Sequence, residues 1–239
     1  MIKKVIILAL IVAILLGIGL WQRNNIKAIY MYFTNDAEGV SAILDKNIET
    51  LEKEISKYAE DIPRALTKEE EERIASGEIS IEEATEMLLK DNAEGENLPG
   101  NEKEAPYETE KIPEKEENSE VIRKNNESAI IKRYTAQFYS MKAYYMGQLS
   151  QIESKAKSEY TSLSKEEKKN LSKAAFVGKY ASYALNLQSE CDSKVTDLLK
   201  NMKKELKDIG ADTGIISTIK EAYESEKAAR KAYYLNLVG

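Results

Sequence analysis

The 239-residue chain has no histidine and one cysteine, Cys191. That excludes zinc sites of the usual His/Cys kind and any disulfide within the chain. Glycine (11) and proline (4) are scarce, and three of the prolines gather at Pro99, Pro106 and Pro113. So few breakers in a chain rich in Lys, Glu, Ala, Leu and Ile predict long helices and an all-α fold. There is no Gly-rich phosphate loop, and the Glu69–Glu72 run lacks the D-x-D-x-D-G frame of a calcium loop. It reads as an acidic first turn complementing a helix dipole.

The same poverty extends to catalytic groups. Asp212-Thr213-Gly214 spells an aspartic-protease triplet, but that chemistry needs two carboxylates held together. Ser217 and Lys220 match S-x-x-K without the companion motifs of penicillin-recognising enzymes. Nothing near Cys191 lowers a thiol pKa, since its neighbours are Glu190 and Asp192. The sequence therefore predicts a non-catalytic protein with no metal and no cofactor.

Charge is unevenly divided. Residues 1–120 hold 14 Lys+Arg against 27 Asp+Glu, whereas residues 121–239 hold 21 against 14. Such a split marks two differently employed segments. The basic half carries no Lys/Arg cluster dense enough for nucleic acid. Attraction to an anionic surface, lipid headgroups or a wall polymer, is compatible with it.

Residues 5–21 (VIILALIVAILLGIGLW) contain no charged side chain. At 1.5 Å per residue they reach roughly 25 Å, the short end of a bilayer core. Lys3 and Lys4 precede the run, and Trp21 suits the water interface. A cleaved signal peptide shares the basic start and apolar core, with Gly17-Ile18-Gly19 as the small-x-small triplet. The length of the run favours an uncleaved signal-anchor over residues 1–22, N-terminus cytoplasmic and C-terminal part extracytoplasmic. The lipid bilayer is thus the first expected partner, and the cell membrane the expected location.

A membrane-proximal helix is expected over residues 23–63. Tyr30, Tyr32 and Phe33 continue the span outward or lie in the lipid interface. Leu44, Ile48, Leu51, Ile55, Tyr58 and Ile62 then follow at steps of 4, 3, 4, 3 and 4, a heptad stripe stopped by Pro63. Three heptads need a partner helix, from a second copy or from elsewhere in the chain.

Two short helices are predicted over residues 64–90. Thr67 with Glu70 and Ser80 with Glu83 are capping boxes, and Gly77 marks the break between them. Residues 68–90, through Ile74, Gly77, Ile81, Glu83, Ala84, Leu88 and Leu89, resemble the SHOCT-like helical hairpins of bacterial, often membrane-associated, proteins. The resemblance implies a small interaction or oligomerisation element. Residues 91–120 follow, with three prolines, 11 acids and three lysines. They bury too little apolar surface to order themselves and read as a self-repelling disordered tether. Screening of the basic half is the sharper alternative for them.

Residues 121–239 are expected to form an elongated antiparallel three-helix bundle. The first helix carries Tyr134, Phe138, Met141, Tyr145, Leu149, Ile152, Ala156, Tyr160 and Leu163 in an eleven-residue rhythm, nearly straight. Ser164 with Glu167 opens a second helix running to Ile209 through Leu171, Ala174, Ala181, Leu185, Val195, Leu198, Met202 and Leu206. Gly210 stops it, and a third helix runs from Asp212 or Thr213 to Leu237. Ten of the fourteen tyrosines fall here. Tyr134, Tyr145, Tyr180, Tyr183, Tyr233 and Tyr234, with Leu44, Ile48, Leu51, Ile55 and Tyr58, are the candidate interaction residues. The expected function is a membrane-anchored helical adaptor or scaffold that binds a protein partner or itself. The alternative is an extracytoplasmic bundle taking a small-molecule or glycan ligand in a tyrosine-rich groove.

Overall fold

A helix needs a partner for its apolar stripe, and the pairing of stripes sorts this chain into two units. The computed structural model describes residues 23–59, 62–93 and 115–238. The apolar run of residues 5–21 and most of the acidic segment, residues 94–114, lie outside them. Among the described residues every element is an α-helix: α1 (Arg23–Thr34), α2 (Ala37–Ile55), α3 (Lys68–Ser76), α4 (Ile81–Ala93), α5 (Lys115–Ser162), α6 (Lys165–Asn170), α7 (Lys173–Asp208) and α8 (Gly214–Val238). None of these is long and apolar enough to cross a membrane. The first unit contains α1, α2 and α8, and the second runs from Tyr58 to Asp212.

In the first unit α1 and α2 both lie against α8. The expected helix over 23–63 is broken at Asn35–Asp36. Asp36 caps α2 by accepting from the Gly39 N–H at 2.8 Å, and Asn35 turns back to donate to the Met31 carbonyl. The pairing with α8 is antiparallel. Ser225 meets Asn47, while the later Ala228, Ala229 and Ala232 join a core with the earlier Val40 and Leu44. Alanines at that seam let the helix axes approach closely.

This register explains where the heptad stripe stops being helical. With Asn47 opposite Ser225, the start of α8 at Gly214 falls opposite about residue 58. Beyond that point no α8 surface is left to cover the stripe. Helix α2 ends at Ile55, and Tyr58 and Ile62 lie outside it, half-buried. The placement of α8 also corrects the three-helix bundle expected over residues 121–239. Two of its helices belong to the second unit and the third to the first. The Leu44–Ile55 stripe needed a partner, and α8 supplies it, with Ala228, Ala229 and Ala232 packed at the Leu44 end.

In the second unit, α5 is 48 residues long, about 72 Å at 1.5 Å per residue. It starts at Lys115, two residues after Pro113, so the expected linker loses residues 115–120 to it, and residues 91–93 belong to α4. The expected helix from 165 to 209 is likewise interrupted. Leu171 is extended and Ser172 caps α7 through the Ala175 N–H. Helices α5 and α7 pair antiparallel, and the α3–α4 hairpin packs on α5.

Both expected capping boxes of the hairpin are present, Thr67 with Glu70 and Ser80 with Glu83. Gly77 takes the left-handed conformation, φ 80°, that closes α3, and Gly210 does the same after α7 at φ 67°. Arg64 ties the two ends of the hairpin, reaching Glu70 on α3 at 2.7 Å and Asp91 on α4. That guanidinium, with the Thr67 N–H behind it, holds the Glu70 carboxyl well below the usual carboxylate range, at about 2.

Candidate interaction surface

Of the stripe expected to bind a partner, Leu44, Leu51 and Ile55 are buried and Ile48 is half-buried within the first unit. The chain's own α8 therefore occupies this face. Tyr233 packs half-buried on the same core, and the Tyr234 side chain lies outside the described set. Opposite this seam α1 turns Tyr30 and Phe33 outward, 68% and 65% exposed, while Ala28 and Met31 face inward.

The remaining tyrosines line the second unit. Tyr134 and Tyr145 on α5 are buried, Tyr180 on α7 is half-buried, and Tyr183 stands 48% exposed. Their hydroxyls form three polar rungs between α5 and α7. Tyr134 donates to Glu205 at 2.8 Å, Tyr145 to Glu190 at 2.8 Å, and Tyr180 to Glu159 at 2.5 Å. The outer two rungs mirror each other. In each, a basic residue preceding the tyrosine pairs with the same glutamate: Arg133 with Glu205, and Lys179 with Glu159 at 2.6 Å.

The electrostatics follow from this arrangement. Hydrogen bonds from Tyr134 and Arg133 lower the Glu205 pKa, and those from Lys179 and Tyr180 lower that of Glu159. Burial, then the adjoining carboxylates, raise the phenol pKa values of Tyr134 and Tyr145. The glutamates were absent from the expected site. The signal for them was the dipeptide pair Arg133-Tyr134 and Lys179-Tyr180, each needing an acceptor on the opposite helix.

Along α5 the surroundings change sharply. Residues 131–145 are enclosed: Ile131, Ala136 and Ser140 are fully buried, and Ser140 and Thr85 of α4 bring their hydroxyls within 3.2 Å. At Gly147 the α3 backbone comes so close that an added Cβ would lie 2.1 Å from the Ala75 Cβ. There Gln151 donates to the Ala75 carbonyl at 2.7 Å, satisfying an acceptor at the end of α3. From residue 146 to 194, no described side chain is buried.

This open stretch carries a ring series, Tyr160 to Phe176 at 5.9 Å, Phe176 to Tyr180 at 5.2 Å and Tyr180 to Tyr183 at 5.9 Å. The inward stripe of α7 is Phe176, Tyr180, Ala184, Leu187 and Cys191. The expected positions Ala181 and Leu185 point to solvent instead, Leu185 being 54% exposed. Among the described residues no group of acids or cysteine is placed to hold a metal ion. No family model, curated protein or solved structure matches the chain significantly.

Proposed function

We propose that this chain is a membrane-anchored helical adaptor, tethered through residues 5–21 and working by protein–protein contact at the cell surface rather than by chemistry. The observation that carries the reading is the paired α5–α7 stretch, 146–194, in which no described side chain is buried. Helices of this length gain most of their stability from packing. A solvent-open helix pair lined with tyrosine and lysine is suited to contact with another macromolecule. The charge-free apolar run, followed by outward Tyr30 and Phe33, supports the tether, because aromatic side chains favour the membrane–water boundary. The SHOCT-like hairpin, docked on α5, fits an interaction element.

The ring series from Tyr160 to Tyr183 supports a second reading, an extracytoplasmic bundle binding a glycan or small ligand on its aromatic face. Protease shaving of intact cells carrying a C-terminally tagged copy tests the first. Loss of the tag, with the chain retained in carbonate-washed membranes, is the expected result. A chain released by carbonate, or a tag protected until lysis, overturns the anchor or its orientation. Glycan binding lost in Tyr183→Ala would transfer the case to the second reading.

A further inference from the structure

The second unit places two oppositely charged surfaces along one helix. At the far turn, residues 157–179 contain six lysines against three glutamates, with Lys157, Lys165 and Lys169 exposed. The α3–α4 hairpin, residues 64–91, has nine acids against four basic residues, and Glu69, Glu71, Glu72, Glu82 and Glu86 are exposed. The hairpin sits over α5 between Ser140 and Gln151. Its centre is about 27 Å from the basic turn along the helix axis, at 1.5 Å per residue. Between the two surfaces lies the shaft in which nothing described is buried.

We infer that this face is covered by a second copy of the chain, laid antiparallel alongside the first about a two-fold axis near residue 155 of α5. A dyad at that midpoint sets the basic turn of each copy on the acidic hairpin of the other, so one operation satisfies both charge surfaces twice. It also lays shaft against shaft and converts two open helix pairs into a four-helix stretch. An anionic lipid surface would engage the turn alone, leaving the shaft open and the acidic hairpin without a role. The inference concerns only the second unit and does not depend on the anchor.

Charge reversal tests it in the full chain, purified in detergent. One variant carries Lys157→Glu, Lys165→Glu and Lys169→Glu; the other carries Glu71→Lys, Glu72→Lys and Glu86→Lys. Circular dichroism establishes that each remains helical, and sedimentation velocity measures mass against concentration and salt. The wild type is expected to dimerise more weakly as salt rises. Each variant alone is expected to lose affinity by about tenfold or more, and an equimolar mixture of the two to dimerise again. Recovery in the mixture also shows that both variants are folded. A monomeric wild type, a dimer untouched by either reversal, or a mixture that stays monomeric overturns the inference. So does a lysine variant whose sole defect is lost binding to vesicles containing anionic lipid.

Discussion

Two stretches of α5 share one sequence rhythm and differ in what surrounds them. Tyr134, Phe138, Met141 and Tyr145 continue into Leu149, Ile152, Ala156 and Tyr160 with the same steps, yet the first four are buried and the last four are not. The near stretch has α7 on one side and the α3–α4 hairpin on another, locked by Thr85, Ala75 and Gln151. The last of these hairpin contacts is at Gln151, and beyond it the cross-helix bonds of α5 go to α7 through Glu159 and to α6 through Lys168. A periodic stripe shows which face turns inward, whereas burial counts how many neighbours arrive to cover it.

The contrast is broken most directly by trimming one leucine from each region. Leu88, fully buried on α4, is expected to cost about 2–5 kcal/mol on replacement by alanine, through lost transfer free energy and the cavity left behind. Leu185→Ala on the open shaft is expected to fall within about 0.5 kcal/mol. Urea unfolding followed by far-ultraviolet circular dichroism gives both values. Equal losses would mean that the shaft has a core of its own.

Gly147 stands at the border between the stretches, and its effect is next in size. Gly147→Val drives a side chain into the Ala75 backbone and is expected to destabilise the second unit by about 1–3 kcal/mol, despite valine's better helix propensity. A clash at this point should move the hairpin and leave the far turn in place. Hydrogen exchange would then rise over residues 64–93 and stay constant over 163–190. A rise at the far turn instead would show that the two stretches unfold together.

What the sequence displays follows the same physical division. Local devices were legible because each is a short-range hydrogen bond: Thr67 with Glu70, Ser164 with Glu167, and the left-handed Gly77 and Gly210. The helical class and the need of Leu44, Leu51 and Ile55 for a partner were equally plain. The partner's identity was not. Helix α8 follows α7 after a short turn, which suggests a neighbour in one bundle, but its alanine face matches the seam of α2 more than 180 residues earlier. On α7 the expected stripe slipped at Ala181 and Leu185 because Tyr180 and Ala184 sit one residue before them. Only the opposing Glu159 fixes which set turns inward. The apolar anchor falls outside the described residues and stands as a proposal.

The tyrosine rungs give a smaller effect, and it is one of pH. Tyr134 and Tyr145 are buried against carboxylates, so their folded pKa values lie above the ordinary value of 10. Protons are held more tightly in the folded state. The stability they contribute is fully present below pH 10 and is lost as pH rises through the folded values. Tyr145→Phe is expected to cost about 1–2 kcal/mol at pH 8, since Glu190 loses its donor, and to flatten the decline above pH 10. Tyr180→Phe, on the open shaft, is expected to cost less at pH 8. Denaturant midpoints of both variants at pH 8 and 11 provide the check, and identical behaviour would erase the difference between inner and outer rungs.

The smallest expected change lies at the acid end, and it separates the near region from the shaft by the same logic. Glu70 is held at about 2 by Arg64 and Thr67, against an ordinary carboxylate near 4.5. Its folded form therefore binds protons less readily than the unfolded chain. Its contribution is present above about pH 4.5 and fades as pH falls towards 2. Arg64 remains open to solvent, so screening keeps the contribution to about 1 kcal/mol or less. Glu159 on the shaft is lowered by Lys179 and Tyr180, but it ties two helices whose described side chains there are not buried. Glu70→Gln should thus flatten the acid limb of hairpin opening, read by hydrogen exchange over residues 64–93, while Glu159→Gln leaves that limb unchanged. If Glu159→Gln flattened it too, the hairpin and the shaft would have to open as one cooperative unit, and the border at Gly147 would carry no energetic meaning.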